Sequence, residues 1–416
     1  ERKNGLLGLR IVSFDGENFD HYAVPFEEEI YVASLPWKDQ PNSYVGHSFQ
    51  FTYTSCLVPL KMMEFDVRTK ELTVLQQTNG GFDPSEYTMR RVFVPIPEAT
   101  RVLAPFGTPV SDTIPVTLVY KTDSFKNDGS NKIFMAGYGS YGMPVDGRFE
   151  GKIFSLMNRG IVYAVAHVRG GGDLGQAWYE TGKLSHKKNA FTDFVACAEF
   201  LVQEEKITKH ELMALFGNSA GGLLLGAVMN LKPDIACAVV AGVPWLDPLN
   251  TSLDASIPMV TLDWEEIGNP NEKEAFDYLQ SYSPYENIRE NVKYPSVLLT
   301  AGLKDSHVPY WEAAKWVAKM RASNTNGGAG DPHQSVIGFK CSMSGGHAGS
   351  GGRYGQYRES AEKYAFLIHE LEKSEDRQSK PKVWTKVTKV TTTNSTTSSG
   401  STTTQKVRTI TEVTYK

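Results

Sequence analysis

The chain has 416 residues, of which 40% are hydrophobic and 22% are charged, a balance typical of globular proteins. Its formal net charge of −4 gives no indication of a nucleic-acid or anionic membrane partner. No apolar run in the sequence approaches the roughly 18 to 20 residues that a membrane span needs. The 4 cysteines lie far apart in apolar runs and no signal peptide is visible, so we expect a cytoplasmic protein.

The first predicted region, residues 1–80, consists of short strands separated by turns. Alternating or apolar runs predict strands at 9–14, 30–33, 48–54, 61–67 and 72–75. A propeller blade takes about 40 to 45 residues, so the region holds fewer than two blades and leaves sheet edges open. We expect a sandwich or a partial β-propeller here.

The second predicted region, residues 85–373, alternates strands with helices. Predicted strands lie at 115–120, 132–136, 160–167, 212–216, 236–241, 296–301 and 335–341. Predicted helices lie at 189–205, 221–230, 309–322 and 356–373. Strands that are apolar on both faces indicate a mostly parallel sheet covered by helices, which is an α/β fold.

The third region, residues 374–416, is a tail of different composition. Residues 391–404 are Ser and Thr except for Asn394 and Gly400. Such a run cannot bury a core, so we expect it to be disordered. Alternating Val and Thr at 383–390 and 407–413 predict a marginal hairpin around it.

A candidate nucleophile lies in the sequence Gly-Asn-Ser-Ala-Gly-Gly at 217–222. An apolar run precedes it and a helix-prone run follows it, which is the strand–turn–helix context of a nucleophile elbow. Glycines beside Ser219 allow the sharp turn that exposes its hydroxyl. The alternative is a glycine-rich loop with an incidental serine.

A serine nucleophile needs a base and a group that orients the base. In α/β-hydrolases the acid and then the histidine follow the serine, each after a later strand. Asp305 and His347 follow the predicted strands at 296–301 and 335–341 in that order. His307 and His333 compete for the role of base but lack the glycine-flanked position after a strand. We therefore expect a Ser219–His347–Asp305 triad.

The oxyanion of an acyl-transfer intermediate needs preorganised donors. One candidate is the backbone N–H of Ala220, the residue after the nucleophile. The other lies in the loop Gly-Tyr-Gly-Ser-Tyr-Gly at 137–142, where the hydroxyl of Tyr138 takes the place of the usual His-Gly-Gly-Gly loop. The alternative is a glycine-rich turn with packed tyrosines.

Several of these motifs together resemble one family. They are Gly-Tyr-Gly-Ser-Tyr-Gly at 137–142, Arg-Gly-Gly-Gly-Asp-Leu-Gly at 169–175, the elbow at 217–222, Trp-Glu-Glu-Ile-Gly-Asn-Pro at 264–270, Ser-Tyr-Ser-Pro-Tyr at 281–285, Tyr-Trp-Glu-Ala-Ala-Lys-Trp-Val-Ala at 310–318 and Gly-Gly-His at 345–347. Residues 1–373 resemble the prolyl oligopeptidase family, in particular its oligopeptidase B branch. The resemblance implies an α/β-hydrolase domain capped by a seven-bladed propeller, most of which is absent from residues 1–80.

The resemblance also implies a substrate and its binding residues. Short peptides would be cleaved after Arg or Lys, with Asp263 and Glu265 as the acids that hold the basic side chain. A second acidic pair that reads the preceding substrate residue matches Asp146 and Arg148, and the arginine disfavours a dibasic preference. The alternative is that the acids at 263–266 form a solvated helix start.

Two other functions stay open at this point. One is a general esterase or acyl-peptide hydrolase of the same fold, and the other is an inactive fragment that acts as an interaction module. The sequence contains no cluster of metal ligands and no nucleotide-binding loop, since Gly170-Gly171-Gly172 lacks the required spacing. We expect no cofactor and no metal.

Overall fold

The computed structural model describes residues 1–16, 18–35, 46–323, 325–326, 334–349, 351–379, 383–386 and 412–415. Its strands are β1 (Arg2–Lys3), β2 (Leu6–Leu7), β3 (Arg10–Asp15), β4 (Asn18–Ala23), β5 (Val32–Ser34), β6 (Ser48–Thr54), β7 (Lys61–Asp66), β8 (Leu72–Gln77), β9 (Tyr87–Pro95), β10 (Thr113–Lys121), β11 (Lys132–Ala136), β12 (Ile161–Ala166), β13 (Met213–Asn218), β14 (Ala238–Gly242), β15 (Ser296–Gly302), β16 (Ile337–Ser342), β17 (Val383–Lys386) and β18 (Glu412–Tyr415). Its α-helices are α1 (Phe154–Met157), α2 (Gln176–Glu180), α3 (Lys188–Gln203), α4 (Ala220–Leu231), α5 (Pro248–Leu253), α6 (Val260–Ile267), α7 (Lys273–Gln280), α8 (Tyr310–Ala322) and α9 (Arg353–Ser379).

The central sheet has 8 strands in the order β16-β15-β14-β13-β11-β12-β10-β9. The strands from β16 to β12 are parallel, and β10 and β9 are antiparallel at one end. Each parallel crossover carries the chain back through helical segments, so the carboxyl ends of β11 and of β13 to β16 meet at one edge. The predicted α/β-hydrolase fold is confirmed, while the long edge strand β9 was missing from the prediction.

Alternating side chains along each strand build two cores, one on each face of this sheet. Ile133 and Met135 of β11 belong to the core that α3, α4 and α8 cover. Phe134 and Ala136 of the same strand belong to the other core, which α1 and α9 cover. Both faces are therefore buried, which explains why the strands read as continuous apolar runs in the sequence.

The N-terminal region is a separate small sheet in the order β1-β2-β5-β6-β7-β8, beside the hairpin of β3 and β4. Phe51 and Phe65 are fully buried in its core. Its architecture agrees with the predicted remnant of a propeller. Strand β4 was not predicted, because its sequence Asn-Phe-Asp-His-Tyr-Ala lacks a buried apolar face.

Aromatic packing joins the small sheet to the α/β region. Cys56 and Leu57, which follow β6, pack with Tyr87 of β9 and with Phe154 and Met157 of α1. Phe82, between the two regions, packs against Phe154 with ring centroids 4.0 Å apart and the ring planes tilted by 44°. Residue 82, which belongs to neither of the two predicted regions, thus contributes to the contact between them.

The last long helix extends beyond the helix predicted at 356–373. Helix α9 continues past residue 373 to Ser379, since the sequence from 374 to 379 contains neither Gly nor Pro to end it. Strands β17 and β18 pair antiparallel. Strand β17 lies within the predicted stretch 383–390, and β18 overlaps the end of the predicted stretch 407–413. The Ser/Thr-rich run at 391–404 lies outside the described residues.

Candidate active site

Ser219 occupies a sharp turn between the last residue of β13 and the first residue of α4. Its backbone has φ 55° and ψ −120°, a region that non-glycine residues rarely adopt. Hydrogen bonds hold this turn, because Ser219 N–H donates to the carbonyl of Gly242 at 2.9 Å and its carbonyl accepts from Trp245 N–H at 3.0 Å. A Cβ on Gly222 would lie 2.3 Å from Pro244 Cβ, so the glycine allows α4 to approach this closely.

The structure brings the three predicted residues together at the carboxyl edge of the sheet. His347 Nε2 lies 3.0 Å from Ser219 Oγ, and His347 Nδ1 lies 2.8 Å from Asp305 Oδ2. A carboxylate only accepts hydrogen bonds, so Nδ1 carries the proton towards Asp305 and Nε2 accepts from the Ser219 hydroxyl. We call Ser219, His347 and Asp305 the rim triad.

Asp305 is held on both of its oxygens. Its Oδ1 accepts from the N–H groups of His307 and Val308, each at 2.9 Å, and its side chain is 0% exposed. Burial alone raises the pKa of this carboxyl, but the hydrogen bonds from His347, Val308 and His307 outweigh it and lower the pKa. Asp305 therefore stays ionised and fixes the tautomer of His347.

The competing histidines have different positions. His307 packs beside His347 with ring centroids 4.9 Å apart, but its backbone N–H, which donates to Asp305, is what contributes to the triad. His333 lies outside the described residues. The loop that carries Asp305 thus also supplies the ring that packs against His347.

Two candidate oxyanion donors adjoin Ser219. Ala220 is the first residue of α4, and the N–H groups of a first helical turn have no acceptor within the helix. Burial and the nearby carboxylate of Glu266 raise the pKa of Tyr138, while a hydrogen bond with Ser219 lowers it in part. The phenol therefore stays protonated and within reach of the nucleophile.

Helix α6 carries the predicted specificity acids. Asp263 accepts a hydrogen bond from the Tyr141 hydroxyl at 2.8 Å. Burial raises the pKa of Asp263, and the hydrogen bond from Tyr141 opposes this. Residues two apart on a helix point to different sides, whereas residues three apart are neighbours. The negative charge of Glu266 therefore adds to the rise in the pKa of Asp263, while Glu265 is exposed.

Glu266 and Lys187 form a buried ion pair that the sequence did not single out. Lys187 Nζ lies 2.6 Å from Glu266 Oε1, and both side chains are 1% exposed. The same ammonium donates to Gly139 O at 2.9 Å and to Ser140 Oγ at 2.5 Å. The pair thus connects the loop of Tyr138 to the helix of Asp263. The sequence around Lys187, at the start of a helix, contains no pattern that predicts this ion pair.

Asp146, the other predicted substrate-binding acid, already has cationic partners. Arg2 of β1 lies 2.9 Å from its Oδ1, and Arg148 lies 3.3 Å from its Oδ2. The N-terminal sheet is thereby tied to the loop that follows β11. Both arginines compete with any basic substrate side chain for this carboxylate.

A second hydroxyl–imidazole–carboxylate chain lies in the interior, and we call Thr117, His167 and Asp173 the buried triad. His167 Nδ1 lies 2.7 Å from Asp173 Oδ1, and His167 Nε2 lies 2.8 Å from Thr117 Oγ1. Arg91 donates to the same threonine oxygen from Nε at 3.2 Å and from Nη2 at 3.1 Å. The sequence predicted none of these contacts.

Within the described ranges, no group of three or more His, Cys, Asp or Glu side chains is arranged to hold a metal ion. None of the helices in those ranges is long and apolar enough to cross a bilayer.

The fold and this site are those of an α/β-hydrolase with a Ser–His–Asp arrangement, and comparisons with known proteins agree with that class. The sequence profile of the Prolyl oligopeptidase family matches residues 148–374, so the chain belongs to that family. The chain is 39% identical over 373 residues to dipeptidyl aminopeptidase BI of Pseudoxanthomonas mexicana and 36% identical over 372 residues to protease 2 of Moraxella lacunata. These matches cover 89% of this chain but 48% and 50% of the relatives, so the chain spans about half their length.

Solved structures give the same result. Oligopeptidase B from Leishmania major matches with a TM-score of 0.77 and 36% identity, covering 90% of this chain and 50% of that one. Oligopeptidase B from Trypanosoma brucei with covalently bound antipain matches with a TM-score of 0.77, also at 36% identity, over 89% of this chain and 50% of that one. The chain is thus an oligopeptidase B-like member of the family.

Proposed function

We propose that this chain is a serine peptidase that hydrolyses short peptides after Arg or Lys through an acyl-enzyme. The observation that carries the proposal is the continuous hydrogen-bonded path from Ser219 Oγ through His347 to Asp305, with contacts of 3.0 and 2.8 Å. The strained turn presents that hydroxyl at the sheet edge, where a peptide carbonyl can approach it.

The proposed chemistry follows from these positions. His347 Nε2 takes the proton of Ser219 as Oγ attacks the carbonyl carbon, and the same nitrogen then gives the proton to the leaving amine as the C–N bond breaks. Water, activated by the same imidazole, hydrolyses the ester that remains. The oxyanion receives hydrogen bonds from the Ala220 N–H and the Tyr138 hydroxyl, whose buried surroundings strengthen them.

The proposed preference for a basic residue rests on Asp263. Its carboxylate is half-buried, already accepts one hydrogen bond from Tyr141 and has a second oxygen to offer. A guanidinium or ammonium group that arrives there offsets the cost of the buried negative charge. Glu266 adds negative potential from the same helix face, although Lys187 holds one of its oxygens.

A peptide-library digestion tests the proposal, with an arginyl amide and a short acyl ester as further substrates. We expect wild type to cut after Arg and Lys and Ser219→Ala to cut nothing. Asp263→Asn keeps the size and loses the charge, so it should lower kcat/KM for basic residues by about ten- to a hundredfold and leave cleavage after neutral residues unchanged. Glu274→Gln, an exposed acid on α7, is the matched control.

Each alternative gives a different result in the same experiment. Equal rates on the ester and the arginyl amide, without a basic preference, would indicate a general esterase. A soluble, cooperatively folded chain that no fluorophosphonate labels at Ser219 would indicate an interaction module. A basic preference retained in Asp263→Asn would remove that residue from the specificity pocket.

A further inference from the structure

A cavity of 680 Å³ opens beside the rim triad on the side of helix α9. Ser219 and His347 line it, and so do Arg358 and Lys363 of α9. Its volume is in the range of pockets that hold small ligands. None of the contacts described so far gives this space a role.

The position of the cavity relative to the triad indicates which part of a substrate enters it. Tyr138, Ala220 and Asp263, which would hold the acyl half of the peptide, are not among its lining residues. His347 is, and its Nε2 must protonate the amine that leaves. The leaving half of the peptide must therefore pass the imidazole, on the side where the cavity lies.

The acids and the cations of the cavity wall differ in whether they already have partners. The acid Glu362 is already in an ion pair with Lys340. Glu359 lies against the loop of His347, where a Cβ on Gly349 would be 2.5 Å from its Oε2. Two cations, Arg358 and Lys363, are left to face the space, and within the described residues neither forms an ion pair with a carboxylate.

Lys363 is the better placed of the two cations. It is half-buried, and its ammonium reaches the strand end before the nucleophile, since a Cβ on Gly242 would lie 2.7 Å from Lys363 Nζ and 2.2 Å from Asn218 Oδ1. Burial lowers its pKa, and the negative charge of Glu359 opposes this only in part. An anion in the cavity would stabilise this ammonium.

We propose that the cavity is the subsite for the leaving half of the peptide and that Lys363, with Arg358 at the surface, binds the α-carboxylate of its C-terminus. The proposal rests on the proposed peptidase function and adds a length selection to it. A leaving segment of one or two residues places its carboxylate inside the cavity, whereas a longer one carries it outside. Short peptides with a free C-terminus are thus the favoured substrates.

The test uses three substrates with the same acyl half ending in Arg. The first continues with a dipeptide that ends in a free carboxylate, the second with the same dipeptide as a carboxamide, and the third is a chromogenic arginyl amide. We expect wild type to prefer the carboxylate over the carboxamide by about ten- to a hundredfold in kcat/KM, the range of a hydrogen bond between charged groups. The chromogenic amide reports on the proposed peptidase function alone.

Variants of α9 separate the role of Lys363 from general effects. Lys363→Met should abolish the preference and leave the carboxamide and the chromogenic amide unchanged, while Lys363→Arg should keep most of the preference. Lys373→Met, on the same helix but outside the cavity lining, should behave as wild type. A wild-type enzyme that cleaves carboxylate and carboxamide equally, or a preference that survives in Lys363→Met, would overturn the proposal.

Discussion

The rim triad and the buried triad differ little in geometry and greatly in surroundings. The contacts around the imidazole are 2.8 and 3.0 Å in the rim triad and 2.7 and 2.8 Å in the buried one. The His347 side chain is 26% exposed, whereas that of His167 is 1% exposed. Arg91 also occupies the oxygen of Thr117, while Ser219 Oγ faces a cavity.

The difference shows that hydrogen-bond distances alone do not make a nucleophile. The rim triad has access, a strained backbone that exposes the hydroxyl, and adjacent candidate donors for an oxyanion. The buried triad has none of the space that a substrate needs, and its polar groups satisfy one another in the core. We expect the first to act in catalysis and the second in stability.

The largest expected effect separates the two hydroxyls. Ser219→Ala should lower kcat by about a millionfold, since a triad acts as a unit. Thr117→Val, which removes the buried hydroxyl at nearly constant volume, should leave kcat of the folded enzyme unchanged and lower the thermal midpoint. Steady-state kinetics and calorimetry measure both. A loss of turnover in folded Thr117→Val would contradict the distinction.

The next effect concerns the two carboxylates. Asp305→Asn should lower kcat by about ten-thousandfold, because an amide favours the wrong tautomer of His347. The same exchange in the interior, Asp173→Asn, should leave kcat of the folded enzyme nearly unchanged. A comparable loss in both variants would show that the buried triad also controls turnover.

The interior histidine should matter for folding. His167→Gln leaves the buried side chains of Asp173 and Thr117 with poorly matched partners, so we expect it to lower the free energy of unfolding by about 1 to 3 kcal/mol. Urea unfolding of this variant on a Ser219→Ala background measures the cost without self-digestion. Unchanged stability would mean that the buried network relaxes at no cost.

The smallest expected effect is a pH dependence. The folded pKa of Asp305 lies below its usual value, so the ionised carboxyl stabilises the fold at pH above the unfolded value of about 3.9, and this contribution is lost as pH falls through the folded pKa. The difference in unfolding free energy between wild type and Asp305→Asn should therefore shrink below about pH 4. A difference that stays constant into this range would contradict the direction of the shift.

The sequence predicted the parts of this fold that depend on local pattern. Strand β11 was predicted with its observed bounds, because four consecutive apolar positions after Lys132 end at a glycine loop. The order of Ser219, Asp305 and His347 after their strands is enough to place them at one sheet edge. Strand β4 and edge strand β9 escaped notice, since polar side chains on exposed faces hide the alternation.

Side-chain contacts between segments far apart in the chain could not be predicted from the sequence. Nothing in the residues around Lys187 indicates that its ammonium meets Glu266, 79 positions away. The partner of Asp146 is likewise Arg2, 144 positions earlier. The acids of helix α6 were assigned by motif, whereas the helical repeat places Glu266 rather than Glu265 beside Asp263. Pairings of this kind depend on tertiary packing.

The two backbone hydrogen bonds of Ser219 have a consequence for how the elbow moves. Its side chain lies at an open cleft, but its amide proton is held by the adjacent strand, so exchange with deuterated solvent requires β13 and β14 to separate locally. The peptide that contains the nucleophile should therefore take up deuterium as slowly as the middle of the sheet. The backbone of Ser219 is thus expected to stay in place while its side chain remains open to the cavity.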